Sequence, residues 1–469
     1  MSSRPRGVRL SALIVFLFLF SAAIALALFC LFAPAPELLV PENGVSVAQA
    51  PAITTEYMLR AREAYSSQTY SDCTSSVVGD FSTSADSFND RPVPITLDWK
   101  SASPLCVVEL SDKEDFSSDS TRKYRVFFSS ELAISNLYTD TTYYWRVRTA
   151  GGVSDIFSFT TENDVRWIHV DGVRNVRDLG GWNGLNQGLV YRGSELNEVS
   201  EHGLQITGDG RRTFVRELGV RSDMDFRALT IEGRGEEKYF AESALGSEVQ
   251  LLNHQIAHFL AAFDDPESYH GVFSDFADPA NYPIYMHCWG GADRTGTVAF
   301  LLQALCGVSE PDLSIDLELT SFASFGPRYR YDNEPFYYAS SLERLRSYEG
   351  STLQEKTEQY MHTTLGLSWG EISNIQSILS GSGVTIGMDY IAGSVISAEE
   401  KTPLVIGLEC PDGQRVSSVK TGSREVDFSF ENGVLTVAHS ELLDKGASGG
   451  ILEITMDDGF LLRSDVEVI

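Results

Sequence analysis

One stretch of the chain combines residue types at a spacing that could do covalent chemistry: His287-Cys288-Trp289-Gly290-Gly291-Ala292-Asp293-Arg294-Thr295-Gly296. A cysteine just ahead of a helix sits near partial positive charge, which lowers a thiol pKa from ~8.5 toward the range where the nucleophilic thiolate dominates. Five residues separate Cys288 from Arg294, enough for the backbone to curl around one anion with its amides turned inward. Gly290 and Gly291 permit the dihedrals and the close approach that this needs. Arg294 can offer a planar bidentate fork to two oxygens of that anion, a geometry that lysine lacks. Trp289, Gly290, Gly291, Ala292, Thr295 and Gly296 are the candidate lining, and a phosphoryl group suits a cup of this size and charge.

The elements on either side must present this loop. Ile284-Tyr285-Met286 reads as a buried strand, and Thr297 to Leu305 reads as an apolar helix that begins soon after the glycines. A bare Cys-x5-Arg match carries little weight. Here a preceding histidine, two glycines, a following Thr-Gly and a strand-loop-helix setting accompany it. A structural turn around a buried cysteine would not explain why Arg294 and Thr295 fall where they do. From about Val165 to Gly383 short apolar strands alternate with amphipathic stretches, the pattern of an α/β domain, with helices over Leu342–Tyr348 and Trp369–Leu379 expected on its outside.

The string resembles the HC-x5-R-[ST] signature of the cysteine phosphatase superfamily. A second segment, Arg174-Asn175-Val176-Arg177-Asp178-Leu179-Gly180-Gly181-Trp182, is similar to an element of the bacterial tyrosine/serine (dual-specificity) protein phosphatase family, and Val190–Ser194 and Asp225-Phe226-Arg227 also fit. The resemblance implies a three-layer domain with a central sheet flanked by helices, and hydrolysis of phosphate esters through a cysteinyl-phosphate intermediate. It makes Cys288 the nucleophile, Arg294 the phosphate ligand and Thr295 the group that steadies the thiolate as it leaves. His287 would brace the loop, with Arg177 and Asp178 in support. Protonation of the departing oxygen needs a carboxylic acid; Asp293 is the candidate, with Asp264 or Asp265 as substitutes, and an aspartate that only pairs with nearby arginines is the competing reading. The family often has lysine where this chain has Ala292, which weakens the case for polyphosphorylated inositol lipids. Arg174, Arg177, Arg192 and Arg328 could compensate, although ordinary ion pairs are the simpler role for each. No cofactor or metal is implied, and no CxxC or paired Cys/His spacing suggests zinc.

The remaining residues frame that domain. At 469 residues the chain has room for about three domains. A formal net charge of −29 argues against a nucleic-acid partner, which would be met by clustered lysine and arginine. Arg4, Arg6 and Arg9 precede an uncharged apolar run from Leu10 to about Ala33, long enough to span a membrane and oriented by those arginines with the rest of the chain outside the cytoplasm. An uncleaved anchor is favoured over cleavage near Ala48-Gln49-Ala50, and Cys30 reads as a membrane cysteine. Residues 1–36 are thus the signal anchor, 37–53 a linker, 54–162 an all-β domain, 163–383 the chemical domain and 384–469 a small β-sandwich-like domain. Trp99, Leu137 and the Tyr143-Tyr144-Trp145-Arg146-Val147 run resemble a fibronectin type III domain, in which Tyr143 and Trp145 would be core. Cys73 and Cys106 could pair there, and Cys306 reads as core of the chemical domain.

Three functions are compatible with these features. The first is an extracytoplasmic phosphomonoesterase acting on a phosphorylated protein or a small phosphate ester. The second keeps the site and takes phosphoinositides or inositol phosphates. The third is a surface-binding protein whose β-domains meet other surface molecules and whose phosphatase fold is inactive.

Overall fold

The computed structural model describes residues 15–17, 19–21, 33–66, 76–81, 89–117, 119, 121–197, 204–227, 242–323, 325–331, 337–397, 399, 401–443 and 449–469. The apolar run expected to enter a membrane lies mostly outside these residues, as do Cys30 and Cys73. Among the described residues no helix is long and apolar enough to cross a membrane. The chain forms two compact units, one from the residues up to Gln49 plus Val93–Asp164, the other from Ala50–Pro92 plus Val165–Ile469.

The first unit is a β-sandwich. Its described strands are β1 (Glu37–Val40), β2 (Val45–Val47), β3 (Ile95–Lys100), β4 (Leu105–Ser111), β5 (Arg122–Phe127), β6 (Glu131–Ile134), β7 (Thr142–Thr149), β8 (Gly152–Val153) and β9 (Phe157–Thr161). One sheet runs β1-β3-β6 and the other β2-β9-β7-β4-β5, with β8 paired to β7. Alternation along β7 turns Tyr143, Trp145 and Val147 inward against Leu97, Trp99 and Phe159. Cys106 is a free thiol buried in the same core. Residues 37–47 are no linker, because they add a strand to each sheet, β2 running parallel to β9.

The expected all-β stretch from residue 54 also needs correction at its start. α1 (Ala52–Ser66) is a helix of the second unit, burying Tyr57, Met58, Ala61 and Tyr65 against Trp167, Ile315, Leu319 and Phe322. These residues share one helical face, and burying them there removes more apolar surface from water than a solvent-facing strand would.

The second unit is mixed α/β. Its first sheet contains β10 (Arg177–Asp178), β11 (Val190–Gly193), β12 (Ser222–Asp225), β13 (Gln250–Asn253) and β14 (Ile284–His287), in the order β10-β11-β14-β12-β13. β14 is central and parallel to both neighbours, with His287 level with Gly193 on one side and Asp225 on the other. Its residues are buried on both faces, as a parallel strand covered twice must be. Ile284 and Met286 enter one core with Val190 and Met224, whereas Tyr285 enters another with Tyr191 and Phe214.

The described helices that follow α1 are α2 (Gly208–Arg212), α3 (Pro266–Ala277), α4 (Arg294–Leu305), α5 (Glu310–Leu319), α6 (Tyr338–Arg346), α7 (Leu353–Thr363), α8 (Trp369–Ser380) and α9 (His439–Leu443). α8 does not lie on the outside, as its sequence implied. Asn374 Nδ2 donates to the carbonyls of Ala277 at 3.2 Å and Ile386 at 2.9 Å, tying α8 to α3 on one side and to the C-terminal strands on the other. Residues from Thr385 onward form a four-stranded and a five-stranded sheet. Strand Leu461–Val468 runs against α8, where Asp465 accepts from Trp369 N and Ser373 Oγ accepts from Arg463 N.

Candidate active site

The sheet delivers Cys288 to the end of its central strand, and α4 opens six residues later at Arg294. In open parallel sheets this carboxyl end is where ligands bind. Cys288 is 4% exposed, and the chain between it and Arg294 is held from outside by four donors. His287 Nδ1 lies 3.1 Å from the Cys288 carbonyl, and Glu195 N donates to the Trp289 carbonyl at 2.9 Å. Asn175 Nδ2 donates to Gly290 O at 3.0 Å, and Arg192 Nη2 to Gly291 O at 2.8 Å.

A trans peptide points its carbonyl and the next amide in opposite directions. Four carbonyls drawn outward therefore turn the amides of Trp289, Gly290, Gly291 and Ala292 the other way. Among the described residues none of these four amides has a hydrogen-bond partner. Convergent backbone N–H groups of this kind form an anion nest. Gly291 is required for the shape: its φ is +67°, and a Cβ there would stand 2.1 Å from the Gly193 carbonyl oxygen.

The thiol is tuned by its neighbours. Burial resists ionisation of Cys288, but the charge of Arg294 and the hydroxyl and amide of Thr295 outweigh it and bring the thiol below its ordinary range. Among the described residues Thr295 Oγ1 is buried with no hydrogen-bond partner, so this donor is available to a thiolate. Arg294 Nη1 donates to Phe226 O at 3.0 Å, and its guanidinium lies 4.8 Å from the Trp289 ring centroid. Trp289 itself is 47% exposed and forms an aromatic wall at the rim.

Both ring nitrogens of His287 face acceptors. Its Nε2 is 2.9 Å from Asp223 Oδ1 while Nδ1 reaches the Cys288 carbonyl, and only the imidazolium can donate to both. Burial disfavours that charge, yet Asp225 and Asp223 overcome it and raise the His287 pKa. Asp225 in turn holds Arg227 Nη2 at 2.7 Å, and Arg227 Nη1 reaches Glu195 at 2.9 Å. This closes the bend whose Phe226 carbonyl anchors Arg294.

The remaining sequence candidates fall in three places. Arg177 supports the loop at one remove: its Nη1 donates to Asn175 Oδ1 at 2.6 Å and its Nε to Asp316 at 2.9 Å. Asp178 does not reach the loop. It accepts from Gly180 N at 3.0 Å, Gly188 N at 2.6 Å and Arg166 at 2.7 Å, and so shapes the turn between β10 and β11. Asp293 is clamped by Arg328, Nε to Oδ1 at 2.7 Å and Nη2 to Oδ2 at 3.1 Å. Asp264, 3.9 Å from Arg344, and Asp265, which accepts from Ser268, sit at the end of a short helical turn whose first amide is bound by Thr297.

All four arginines considered as second-anion ligands are in ion pairs. Arg174 pairs with Asp90, Arg177 and Arg192 with Asp316, and Arg328 with Asp293. Asn175, Glu195, Asp223 and Asp316 carry the loop without having been singled out as site residues. Only Asn175 had a signal, its place inside the Arg174–Trp182 motif.

Comparison with known proteins agrees with this chemistry. Residues 168–380 match the Tyrosine phosphatase family. The second unit thus contains a domain of cysteine-phosphatase type, and the protein is a phosphatase, a hydrolase of phosphate esters. No curated protein matches the chain. Among solved structures, the core catalytic domain of the PP-IP phosphatase SIW14 from S. cerevisiae is similar at 14% identity, over 38% of this chain and 86% of that one, with a TM-score of 0.23. The tri-modular endo-β-1,4-glucanase B (Cel5B) from Bacillus halodurans is similar at 9% identity, over 47% and 32%, with a TM-score of 0.19. The twitchin kinase region from C. elegans follows at 11% identity, over 80% and 96%, with a TM-score of 0.19. Likenesses this slight carry no argument about function.

Proposed function

We propose that this phosphatase is a cysteine-dependent phosphomonoesterase of protein tyrosine or dual-specificity type, acting outside the cytoplasm on a phosphorylated protein or small phosphate ester. The observation that carries the reading is the outward tethering of four loop carbonyls around a buried thiol whose ionisation Arg294 and Thr295 favour. In the reaction, the Cys288 thiolate forms a bond to phosphorus as the ester P–O bond breaks. Arg294 and the loop amides take the charge that spreads over the three non-bridging oxygens. Asp293, once parted from Arg328 and protonated, gives its proton to the departing oxygen. Water then attacks the cysteinyl phosphate, its proton returns to Asp293, and the S–P bond breaks to release phosphate and regenerate the thiolate.

Monoester substrates are favoured over polyphosphorylated inositols because Ala292 brings no charge and Arg174, Arg177, Arg192 and Arg328 are each paired with a carboxylate. The finer assignment to the bacterial tyrosine/serine family rests on the Arg174–Trp182 segment. The order of the sandwich strands and the buried Trp99 and Trp145 support the fibronectin type III-like reading of the first unit. The arginine-led apolar run supports the location and a membrane attachment.

The test is phosphate release from an activated aryl phosphate and from a phosphotyrosine peptide, under reductant, for wild type, Cys288→Ser and Asp293→Asn. Cys288→Ser is expected to abolish both activities. Asp293→Asn should slow the peptide by about a hundredfold or more and the activated ester far less, since its leaving group scarcely needs a proton. Undiminished turnover by Cys288→Ser would refute the mechanism, and equal losses on both substrates would remove Asp293 from the acid role.

A further inference from the structure

The match to the phosphatase family begins at residue 168, yet part of the scaffold behind the phosphate loop comes from well upstream. Asp90 belongs to the Ala50–Pro92 segment of the second unit. Its side chain is wholly buried, and it accepts from Arg174 Nε and Nη2, both at 2.9 Å, and from the backbone amide of Asn175 at 2.8 Å. Asn175 is itself buried and has a left-handed backbone, φ +58°, a conformation uncommon outside glycine that asparagine takes more readily than most residues and that its contacts select here. In that conformation its Nδ2 reaches Gly290 O, while Arg177 fixes the other end of the amide through Oδ1.

Building on the reading of Cys288 as nucleophile, we propose that Asp90 is a positioning residue for the phosphate loop, acting through Asn175. The carboxylate does two things, alongside Ser194, which accepts from Arg174 N and donates to Arg174 O, each at 3.0 Å. It fixes the Asn175 amide, and through Arg174 it anchors the residue before it. Without Asp90, Asn175 is free to leave the left-handed region and its side chain to release Gly290. The cup then loses one of its four outward ties at the residue that directly precedes Gly291, where the backbone is most constrained. The anchoring segment is fastened independently. Arg62 pairs with Asp312 at 2.9 Å, and Tyr57 and Tyr65 donate to Glu318 at 2.7 and 2.6 Å, so α1 is bound to the same helix, α5, that carries Asp316.

The test uses the full-length chain, an aryl phosphate for kinetics and iodoacetamide for Cys288 ionisation, read as alkylation rate against pH. Asp90→Ala and Asn175→Gly, the latter leaving the left-handed backbone unstrained, are each expected to lower kcat/KM by about a hundredfold, the size of effect that a displacement near 1 Å produces. Each should also move the alkylation profile to higher pH. Because both residues act on one tether, the double variant should lie within about twofold of the worse single variant. Should Asp90→Ala not fold, pairing it with Arg174→Met leaves no buried charge unmatched and permits the same measurements.

Losses that multiply in the double variant, or an alkylation profile unchanged from wild type, overturn the proposal. Cys288→Ser keeps the two readings apart. If it is inactive while Asp90→Ala turns over like wild type, the positioning role fails and the nucleophile stands. If it remains active, the nucleophile assignment fails whatever Asp90 does.

Discussion

Replacing Asp316 with asparagine tests how far the phosphate loop depends on charge buried behind it. Asp316 Oδ1 accepts from Arg177 Nε at 2.9 Å, and Oδ2 accepts from Arg192 Nη1 and from Gln303 Nε2 at 3.0 Å. Both arginine side chains are 0% exposed and the aspartate 5%. Burial pushes the Asp316 pKa up, but Arg177 and Arg192 outweigh it and hold the carboxyl below its ordinary value. Arg177 feels the opposite strain: burial, then the neighbouring Arg192, bring it down to about 10, so at neutral pH it is a cation kept against its surroundings. Asp316→Asn would leave two buried guanidiniums without the countercharge they share. Removing one partner from a buried pair costs about 3–5 kcal/mol. For a unit of this size that corresponds to a fall in Tm on the order of 10 °C.

Two further readouts distinguish this account from nonspecific damage. Arg192 also holds Gly291 O, so Cys288 alkylation should shift to higher pH in Asp316→Asn at temperatures where the protein is fully folded. The pH dependence has a definite sign. A carboxylate whose folded pKa is depressed stabilises above its unfolded value near ~3.9 and loses that contribution as pH falls through the folded value. Calorimetry should therefore find the Tm gap between wild type and Asp316→Asn constant from neutral pH down to about pH 5 and narrowing only below about pH 4. A Tm within about 1 °C of wild type at pH 7 would show that the cluster is not under the electrostatic load inferred here.

Thr295→Val keeps the volume of the side chain and removes the hydroxyl that favours the thiolate; its iodoacetamide profile should move to higher pH, and an unmoved profile would mean that Arg294 suffices. Gly291→Ala would place a methyl 2.1 Å from Gly193 O at φ +67°, so kcat/KM should drop by about a hundredfold or more. Gly184→Ala, at φ +88° with nothing within 4 Å, is the control for backbone strain alone and should remain active. His287 has a raised folded pKa, so its stabilising contribution is complete below its unfolded value near ~6.5 and is lost as pH rises through the folded value. Thermal unfolding should accordingly show the advantage of wild type over His287→Gln shrinking from pH 6 toward alkaline pH, and a gap that widened instead would refute the imidazolium.

The part of the site most legible in the sequence was the part made by neighbours in the chain. Cys288, the glycines, Arg294 and Thr295 lie within eight residues, and their spacing encodes the cup because a strand, a short loop and a helix leave few ways to arrange it. The supports were less legible because they are distant and individually ordinary. Asp316 sits in Asp312-Leu313-Ser314-Ile315-Asp316-Leu317-Glu318, where acidic residues alternate with apolar ones; nothing local says that they face inward. The sandwich strands follow from alternation of bulky residues, but most of α1 falls within the stretch whose composition suggests that all-β region. Tyr57, Ala61 and Tyr65 do recur at helical spacing, yet Arg60, Arg62 and Glu63 between them dilute the signal. The burial of α8 was equally invisible, since it is created by α3 and by a partner strand 90 residues further on.

The distant supports of the loop have a common origin in how the catalytic unit is built. A loop whose amides must face one anion cannot satisfy its carbonyls from within, so other parts of the chain must supply the donors. Here they come from Asn175, Arg192, Glu195 and His287, and each is fixed in turn by a buried acid or arginine: Asp90, Asp316, Arg227 and Asp223. Asp90 precedes the residues that match the family and is separated from its partners by an entire stretch of sandwich strands. The segment that carries it also seals an apolar cluster, Tyr57, Met58, Val78 and Phe81 against Trp167, Trp182 and Phe322. It surrounds Glu318 too, which accepts from Tyr57, Tyr65, Ser76 and Arg330 N. Burial raises the pKa of Glu318 in spite of these donors, so three of its partners would be lost together if the segment came away. The same contacts that cover the core thus hold the scaffold of the phosphate loop, and the catalytic unit begins structurally at Ala50 rather than where the phosphatase motifs start.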